Sequence, residues 1–375
     1  MKKETQAVHA GTSFDDKTQG TNTPIYTSTA IGYLDSETVT YPRYFNTKNQ
    51  QAVVEKIASL ENAEDGLVFS SGMAAITTTL LSFLKAGDHV IFQKGLYGGT
   101  FNWVANELEK FGIQFTIIED NTKSGFENAL QQNTKLVYIE TPSNPLLKIT
   151  DIQAVANFAK ASNLVSVIDN TFASPVNQNP IDFGIDLVLH SATKYLGGHS
   201  DICAGAVIGS KELIRRIRPT ALNLGGSLDA QTCSLLERSL KTLFVRVSQQ
   251  NKNAQIIAEY LNTHPKIGTV YYPGLPNSEN HKIASKQMKS FGGMLSFELK
   301  NQDIIEFQKK LKLIKPAVSL GGVDSIINAP ILTSHRHLSD EEKIREGITN
   351  KILRLSVGIE NVEDLIEDLE LGLNE

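Results

Sequence analysis

The chain reads as an α/β protein, a large domain with a mostly parallel sheet covered by helices and then a smaller α+β C-terminal domain. Three observations predict it. Short apolar runs rich in Val, Ile and Leu recur between His89 and Ile208, as strands buried on both faces require. Helical patterns fall between several of these runs, and repeated strand-helix alternation is the signature of a parallel sheet with helices on its faces. After a long helical stretch around Gln231 to Leu261 the order changes, and the remaining strands and helices suit a second, smaller layer.

Residues 1–50 are rich in Thr, Ser, Asp and Gly, with aromatic positions at Tyr26, Tyr33, Tyr41, Tyr44 and Phe45 and little periodicity. They read as an extended arm, because such a segment buries its aromatic rings only against another surface. A helix is expected from Asn49, with Val53, Val54, Ile57 and Leu60 on one face. The large domain, 51–240, then has strands at His89 to Gln93, Phe115 to Ile118, Leu136 to Ile139, Leu164 to Ile168, Asp186 to Leu189 and Ala204 to Ile208. Helices are expected at Phe101 to Lys110 and at Asp151 to Ala161, the latter with Thr150 as its N-cap. In the C-terminal domain, 241–375, Thr269 to Tyr272, Met294 to Leu299 and Ile352 to Val357 read as strands. Ile304 to Leu313 and Val362 to Leu371 read as helices.

The 375 residues, 41% of them hydrophobic, are ample for a sizeable core. A formal charge of -5 without blocks of like charge argues against nucleic acid or an anionic membrane as the main partner. The first residues carry lysines but no apolar segment behind them, and no run reaches transmembrane length, so a cytoplasmic protein is expected. Cys203 and Cys233 lack metal-ligand spacing and read as buried thiols, and the eight histidines include no HExxH motif, so no metal is expected.

Chemistry concentrates in Asp186 to Ser200, DLVLHSATKYLGGHS. Lys194 follows an apolar strand and small hydroxyl residues, where an amine is held away from bulk water and can serve as a Schiff-base nucleophile. A second apolar run, Leu164 to Asn170, ends in Asp169. A carboxylate at the C-terminal end of such a strand is the usual partner of the pyridinium nitrogen of pyridoxal phosphate, whose aldehyde a lysine captures. Ser70-Ser71-Gly72-Met73 opens a helical run through Leu84, which suits ordinary capping or an anion at the exposed N-H groups. Tyr97 suits a core position, Asn144 an Asn-Pro turn, Arg43 a solvated loop and Arg354 a structural ion pair, when each is taken alone.

SATKYLGGHS, together with HAGTSFDDKTQGTNTPIY near the N-terminus and RLSVGIENVEDLIEDLE near the end, resembles the Cys/Met-metabolism, or trans-sulfuration, family of pyridoxal-phosphate enzymes. That family includes cystathionine lyases and synthases, and the likeness runs over nearly the whole chain. It implies an aspartate-aminotransferase-like domain of fold type I and a homotetramer built from dimers with shared active sites. It assigns Lys194 as the catalytic lysine, Asp169 as the ring-nitrogen partner and Tyr97 as a ring stacked on the cofactor and a second catalytic group. Gly72, Met73, Ser191 and Thr193 would hold the cofactor phosphate, and Asn144 the ring oxygen. Tyr41 and Arg43 would reach the phosphate in the neighbouring subunit, although Asn46-Thr47-Lys48 departs from the Asn-Pro-Thr that commonly follows. Arg354 would clamp the substrate carboxylate, with Ser319 positioning that end and the lysine.

Two further departures bear on the reaction. Val318 stands where γ-synthases and γ-lyases of cystathionine usually carry glutamate, and Gly99 where methionine γ-lyases carry cysteine. The expected activity is therefore a carbon-sulfur lyase acting on a small sulfur amino acid, foremost a cystathionine β-lyase. Cystathionine γ-lyase or γ-synthase, methionine γ-lyase, homoserine sulfhydrylase and an aminotransferase of the same fold are the alternatives.

Overall fold

A computed structural model of the chain describes residues 1–375 except 16, 35, 36, 337, 338 and 375. Helix α1 (Lys3–His9) opens the chain, and α2 (Lys48–Glu61) begins at a capping box in which the Thr47 hydroxyl and the Gln50 side chain satisfy each other's backbone N-H groups. Strand β1 (Asp65–Phe69) leads into α3 (Gly72–Phe83), then β2 (His89–Phe92), α4 (Gly98–Asn106), β3 (Gln114–Ile117), α5 (Lys123–Asn128) and β4 (Thr134–Glu140). Next come α6 (Ile152–Ala161), β5 (Val165–Asp169), the short α7 (Ser174–Asn177), β6 (Leu187–His190), β7 (Gly205–Gly209) and α8 (Lys211–Leu224).

These seven strands form one sheet in the order β1-β7-β6-β5-β4-β2-β3, in which β7 alone runs against the rest. Alternate residues face opposite sides, as the pleat requires. Val90, Leu136, Val167 and Leu187 pack with α3 and α8 on one face, and Ile91, Val137, Ile168 and Val188 pack with α6 on the other. The C-terminal ends of β4, β5 and β6 therefore meet at one edge, carrying Glu140, Asp169 and His190.

Helices α9 (Ala230–Leu240) and α10 (Leu243–Thr263) lead to the smaller unit, which holds β8 (Ile267–Tyr271), α11 (His281–Gln287), β9 (Met294–Leu299) and α12 (Ile304–Lys310). It continues with β10 (Lys315–Pro316), β11 (Ile326–Asn328), α13 (Asp340–Glu346), β12 (Ile352–Ser356) and α14 (Val362–Leu373). Its five-stranded sheet runs β10-β11-β12-β9-β8, mostly antiparallel, over a core that includes Phe297, Phe307, Leu355 and Leu369.

Several expectations need correction. The arm is not extended throughout, since α1 packs on α2 and α10, with Ala7 buried and the Lys3 ammonium bonded to the Ser59 and Leu60 carbonyls that α2 leaves open. Asp151, not Thr150, caps α6, because its carboxylate accepts the Ala154 N-H while the Thr150 hydroxyl is committed to Gln93. The stretch Gln231 to Leu261 is two helices, and Arg246 of α10 binds the Ser239 carbonyl where α9 ends. Strand β1 was not foreseen. It contains Gly66, which weakens a strand signal, yet a Cβ there would meet Ile208 at 2.5 Å. Cys233 is buried but Cys203 is exposed, lying on the outward side of an alternating segment between buried Ile202 and Ala204. Among the described residues no helix is long and apolar enough to cross a membrane.

Candidate active site

Lys194 lies in the turn after β6, half-buried, with its Nζ donating to Ser319 Oγ at 2.6 Å. Burial, and then the nearby Arg354 charge, lower its ammonium to about 8. The amine thus becomes neutral, and nucleophilic, far more readily than a solvated lysine. Ser319 itself has φ +86°, an unfavourable backbone for a residue with a side chain. That conformation points its hydroxyl at Lys194 while its carbonyl accepts from Arg354 Nη2 at 3.0 Å.

Arg354, from the middle of β12, is 5% exposed and also donates from Nη1 to Asn144 Oδ1 at 2.8 Å. Neither partner is a carboxylate, and its Nε has no partner among the described residues. Burial lowers its guanidinium to about 10. A buried cation held only by neutral oxygens is incomplete without an anion, and the planar fork suits a carboxylate. The structural ion pair that the sequence alone allowed is absent among the described residues.

At the other side of the pocket, Ser71 caps α3 by accepting the Ala74 N-H at 3.1 Å, which leaves the first-turn amides of Gly72 and Met73 without helical partners. A Cβ on Gly72 would stand 2.9 Å from that of Ser191. Glycine therefore lets the helix start and the Ser191 hydroxyl converge, as an anion cradle needs. The Thr193 hydroxyl also lies in this turn, but it is engaged with both backbone groups of Ala204.

Asp169 ends β5, with its Oδ1 accepting the Thr171 N-H at 2.9 Å. Tyr97 precedes α4 and is partly exposed, its N-H held by Glu140 Oε2 at 2.6 Å. A Cβ on Gly99 would come within 2.5 Å of the Tyr97 ring, so glycine there permits the ring position. Sequence reasoning missed two buried groups behind Asp169. Glu140 is one, and the other is His190, whose Nε2 pairs with Glu61 Oε1 at 2.6 Å. Their only signal was a polar residue ending an apolar run, LVYIE and LVLH.

Of the expected residues, Lys194, Ser319, Arg354 and Asn144 form one bonded chain, while Gly72 and Ser191 converge, and Tyr97 reaches Asp169 through Glu140. Tyr41 and Arg43 are not linked to this cluster within the chain. Arg43 bonds the Leu222 carbonyl at 2.5 Å and lies over the Tyr44 ring.

The residues present fit pyridoxal phosphate. The poised amine and the guanidinium are joined through Ser319, the clear helix start adjoins Ser191 in the turn that carries Lys194, and the Asp169 carboxylate ends the neighbouring strand. The comparisons with known proteins agree. The profile of the Cys/Met metabolism PLP-dependent enzymes matches residues 4–374. The cystathionine γ-lyase of Bacillus subtilis (strain 168) is 41% identical over 100% of this chain and 99% of its own. The cystathionine β-lyase of Lactococcus lactis subsp. cremoris is 43% identical over 99% of this chain and 98% of its own. The solved cystathionine γ-lyase of Lactobacillus plantarum, in complex with L-serine, superposes with a TM-score of 0.96 at 41% identity, covering 100% of this chain and 98% of that one. The chain belongs to the Cys/Met metabolism PLP-dependent enzyme family, among its lyases of the trans-sulfuration group.

Proposed function

We propose that the enzyme is a cystathionine β-lyase, converting cystathionine to homocysteine, pyruvate and ammonia. Val318 carries the choice. It adjoins Ser319, is 68% exposed, and puts an apolar side chain where γ-synthases and γ-lyases of cystathionine usually have a carboxylate. Relatives of comparable identity include both a β-lyase and a γ-lyase, so the choice rests on Val318.

When bound, pyridoxal phosphate supplies an electron sink for the negative charge left at the substrate Cα. Gly72, Met73, Ser191 and Thr193 would hold its phosphate, Asn144 its ring oxygen, and Asp169 a proton at its ring nitrogen. Arg354 would bind the substrate carboxylate, oriented by Asn144 and the Ser319 carbonyl. Lys194, steadied by the Ser319 hydroxyl, would take the Cα proton, a role that needs a partly neutral amine. The electron pair left at Cα would then form the Cα-Cβ double bond as the Cβ-S bond breaks, and the Lys194 ammonium would return its proton to the departing sulfur, giving homocysteine. Hydrolysis of the remaining three-carbon unit would yield pyruvate and ammonia. Tyr97 would cover the ring face, its phenol assisting exchange of Lys194 for the substrate amine.

Residues 1–50 would form an arm, 51–240 the cofactor domain and 241–375 the C-terminal domain. The arm exposes Phe14, Tyr33, Leu34 and Val39, apolar surface that suits a neighbouring subunit. Tyr41 and Arg43 would there complete the partner's phosphate site, in a homotetramer of such dimers. A cytoplasmic location would keep the unpaired cysteines reduced. The test is product identity from L-cystathionine. Pyruvate with homocysteine is the expected result, whereas 2-oxobutyrate with cysteine identifies γ-elimination and overturns the choice.

A further inference from the structure

The assignments of Asp169 beneath the ring nitrogen and Tyr97 over the ring face underlie one inference about the group behind them, Glu140. This residue ends β4 directly beside Asp169 at the end of β5, and Cα partners in a parallel ladder send their side chains to the same face. The two carboxyl groups therefore share one pocket. Glu140 is 6% exposed. Its Oε2 accepts the Tyr97 N-H at 2.6 Å, its Oε1 accepts the Tyr138 hydroxyl at 3.2 Å, and its backbone carbonyl accepts from the Gln93 amide.

No Lys, Arg or His pairs with Glu140 among the described residues. Two adjacent carboxyl groups in such a place do not both ionise readily. Burial, and then the Asp169 charge, push the Glu140 carboxyl up to about 8. Burial raises the Asp169 carboxyl as well, but the Thr171 hydrogen bonds and neighbouring His190, itself bonded to Glu61, pull it back. Tyr138 is wholly buried on the remaining side and adds no positive charge. The pair is thus more stable carrying one negative charge than two.

We propose that Glu140 is a positioning residue for the reaction: it lies beside Asp169 on the same face of the sheet and sets the surroundings of that carboxylate, and through the Tyr97 N-H it fixes the ring that covers the cofactor. One side chain would then join the group beneath the ring nitrogen to the group above the ring face. Neither Lys194 nor Arg354 contacts it, so its effect passes through geometry and charge alone.

The test uses holoenzymes of Glu140→Gln and Glu140→Ala, with kcat, KM and the absorbance of the bound cofactor followed from neutral to alkaline pH. Glu140→Ala is expected to lower kcat by about 10²-fold, the scale of a small misplacement of reacting groups, with a smaller change in KM. Glu140→Gln keeps a neutral acceptor for the Tyr97 N-H and is expected to recover most of that loss. The unsubstituted enzyme is expected to give a spectral step as pH rises through about 8, and Glu140→Gln should remove it. If Glu140→Gln falls as far as Glu140→Ala, or if Glu140→Ala matches the unsubstituted enzyme in rate and spectrum, the proposal fails. Should Glu140→Ala not fold, the alkaline step decides, its loss in Glu140→Gln supporting the proposal and its persistence overturning it. Asp169→Asn separates the underlying assignment, since an unchanged spectrum there removes Asp169 as the ring partner whatever the Glu140 variants show.

Discussion

Lys194 and Arg354 are two cations in one pocket with no carboxylate paired to either among the described residues. Burial lowers the preference of both for charge, and the Arg354 charge lowers that of Lys194 further. The consequence for Lys194 has a definite sign. With an ammonium near 8 rather than 10.5, about a tenth of the amine is neutral one unit below that value and about nine-tenths one unit above. In the cofactor-free protein, the rate of pyridoxal-phosphate capture should therefore rise with pH and level off just above 8. Stopped-flow absorbance measures this directly, and a rate still climbing at pH 10 would contradict the assignment. Lys194 and Asp169 were legible from their positions at the ends of apolar runs, whereas Arg354 alone suited an ion pair and took its role from the family resemblance. Glu140 and His190 occupied similar positions, but a polar residue at a strand end has no assigned task until the neighbouring strand is known.

The start of α3 is the element on which cofactor affinity turns. Its cap is local, since the Ser71 hydroxyl bonds the Ala74 N-H three residues on. Ser71→Ala should cost about 1 kcal/mol of stability, read as a lower thermal midpoint. Gly72→Ala acts differently, because the added methyl would meet Ser191 at 2.9 Å, across the pocket from another strand. A tenfold or greater weakening is expected, at about 1.4 kcal/mol per tenfold; undiminished affinity in a cofactor titration would remove this turn from the phosphate site. The Ser-Ser-Gly pattern announced a helix start, but only the return of the chain after β6 shows which side chain demands the glycine.

Across the whole molecule, the proposed sharing of sites between subunits rests on the arm. Its path is fastened by Thr12 and Thr23, whose hydroxyls bond Glu237, and by buried Lys56, which bonds the Val8 carbonyl. Beyond these anchors Arg43 bonds the Leu222 carbonyl of α8 while Tyr41 lies beside the Tyr44 ring, and neither is bonded to the Lys194 cluster. Mixing Arg43→Ala subunits with Lys194→Ala subunits should therefore regain activity, because one of the two sites in a mixed dimer has both residues intact. Mixed dimers, verified by differential tags, that stay as inactive as their parents would refute a shared site.

The alternation of buried strands and amphipathic helices was readable from sequence because burial on both faces demands uninterrupted apolar runs. The lysine and the strand-end aspartate were readable for the same reason, since a polar residue beside such a run stands out. Family likeness supplied the cofactor, yet comparable identity to a γ-lyase and a β-lyase leaves the bond to be cleaved with Val318 and its neighbours. Tertiary structure decided which carboxyl groups meet. Glu140 and Asp169 are 29 positions apart in sequence and adjacent only in register, and pairing of that kind depends on strand order, which no local pattern encodes.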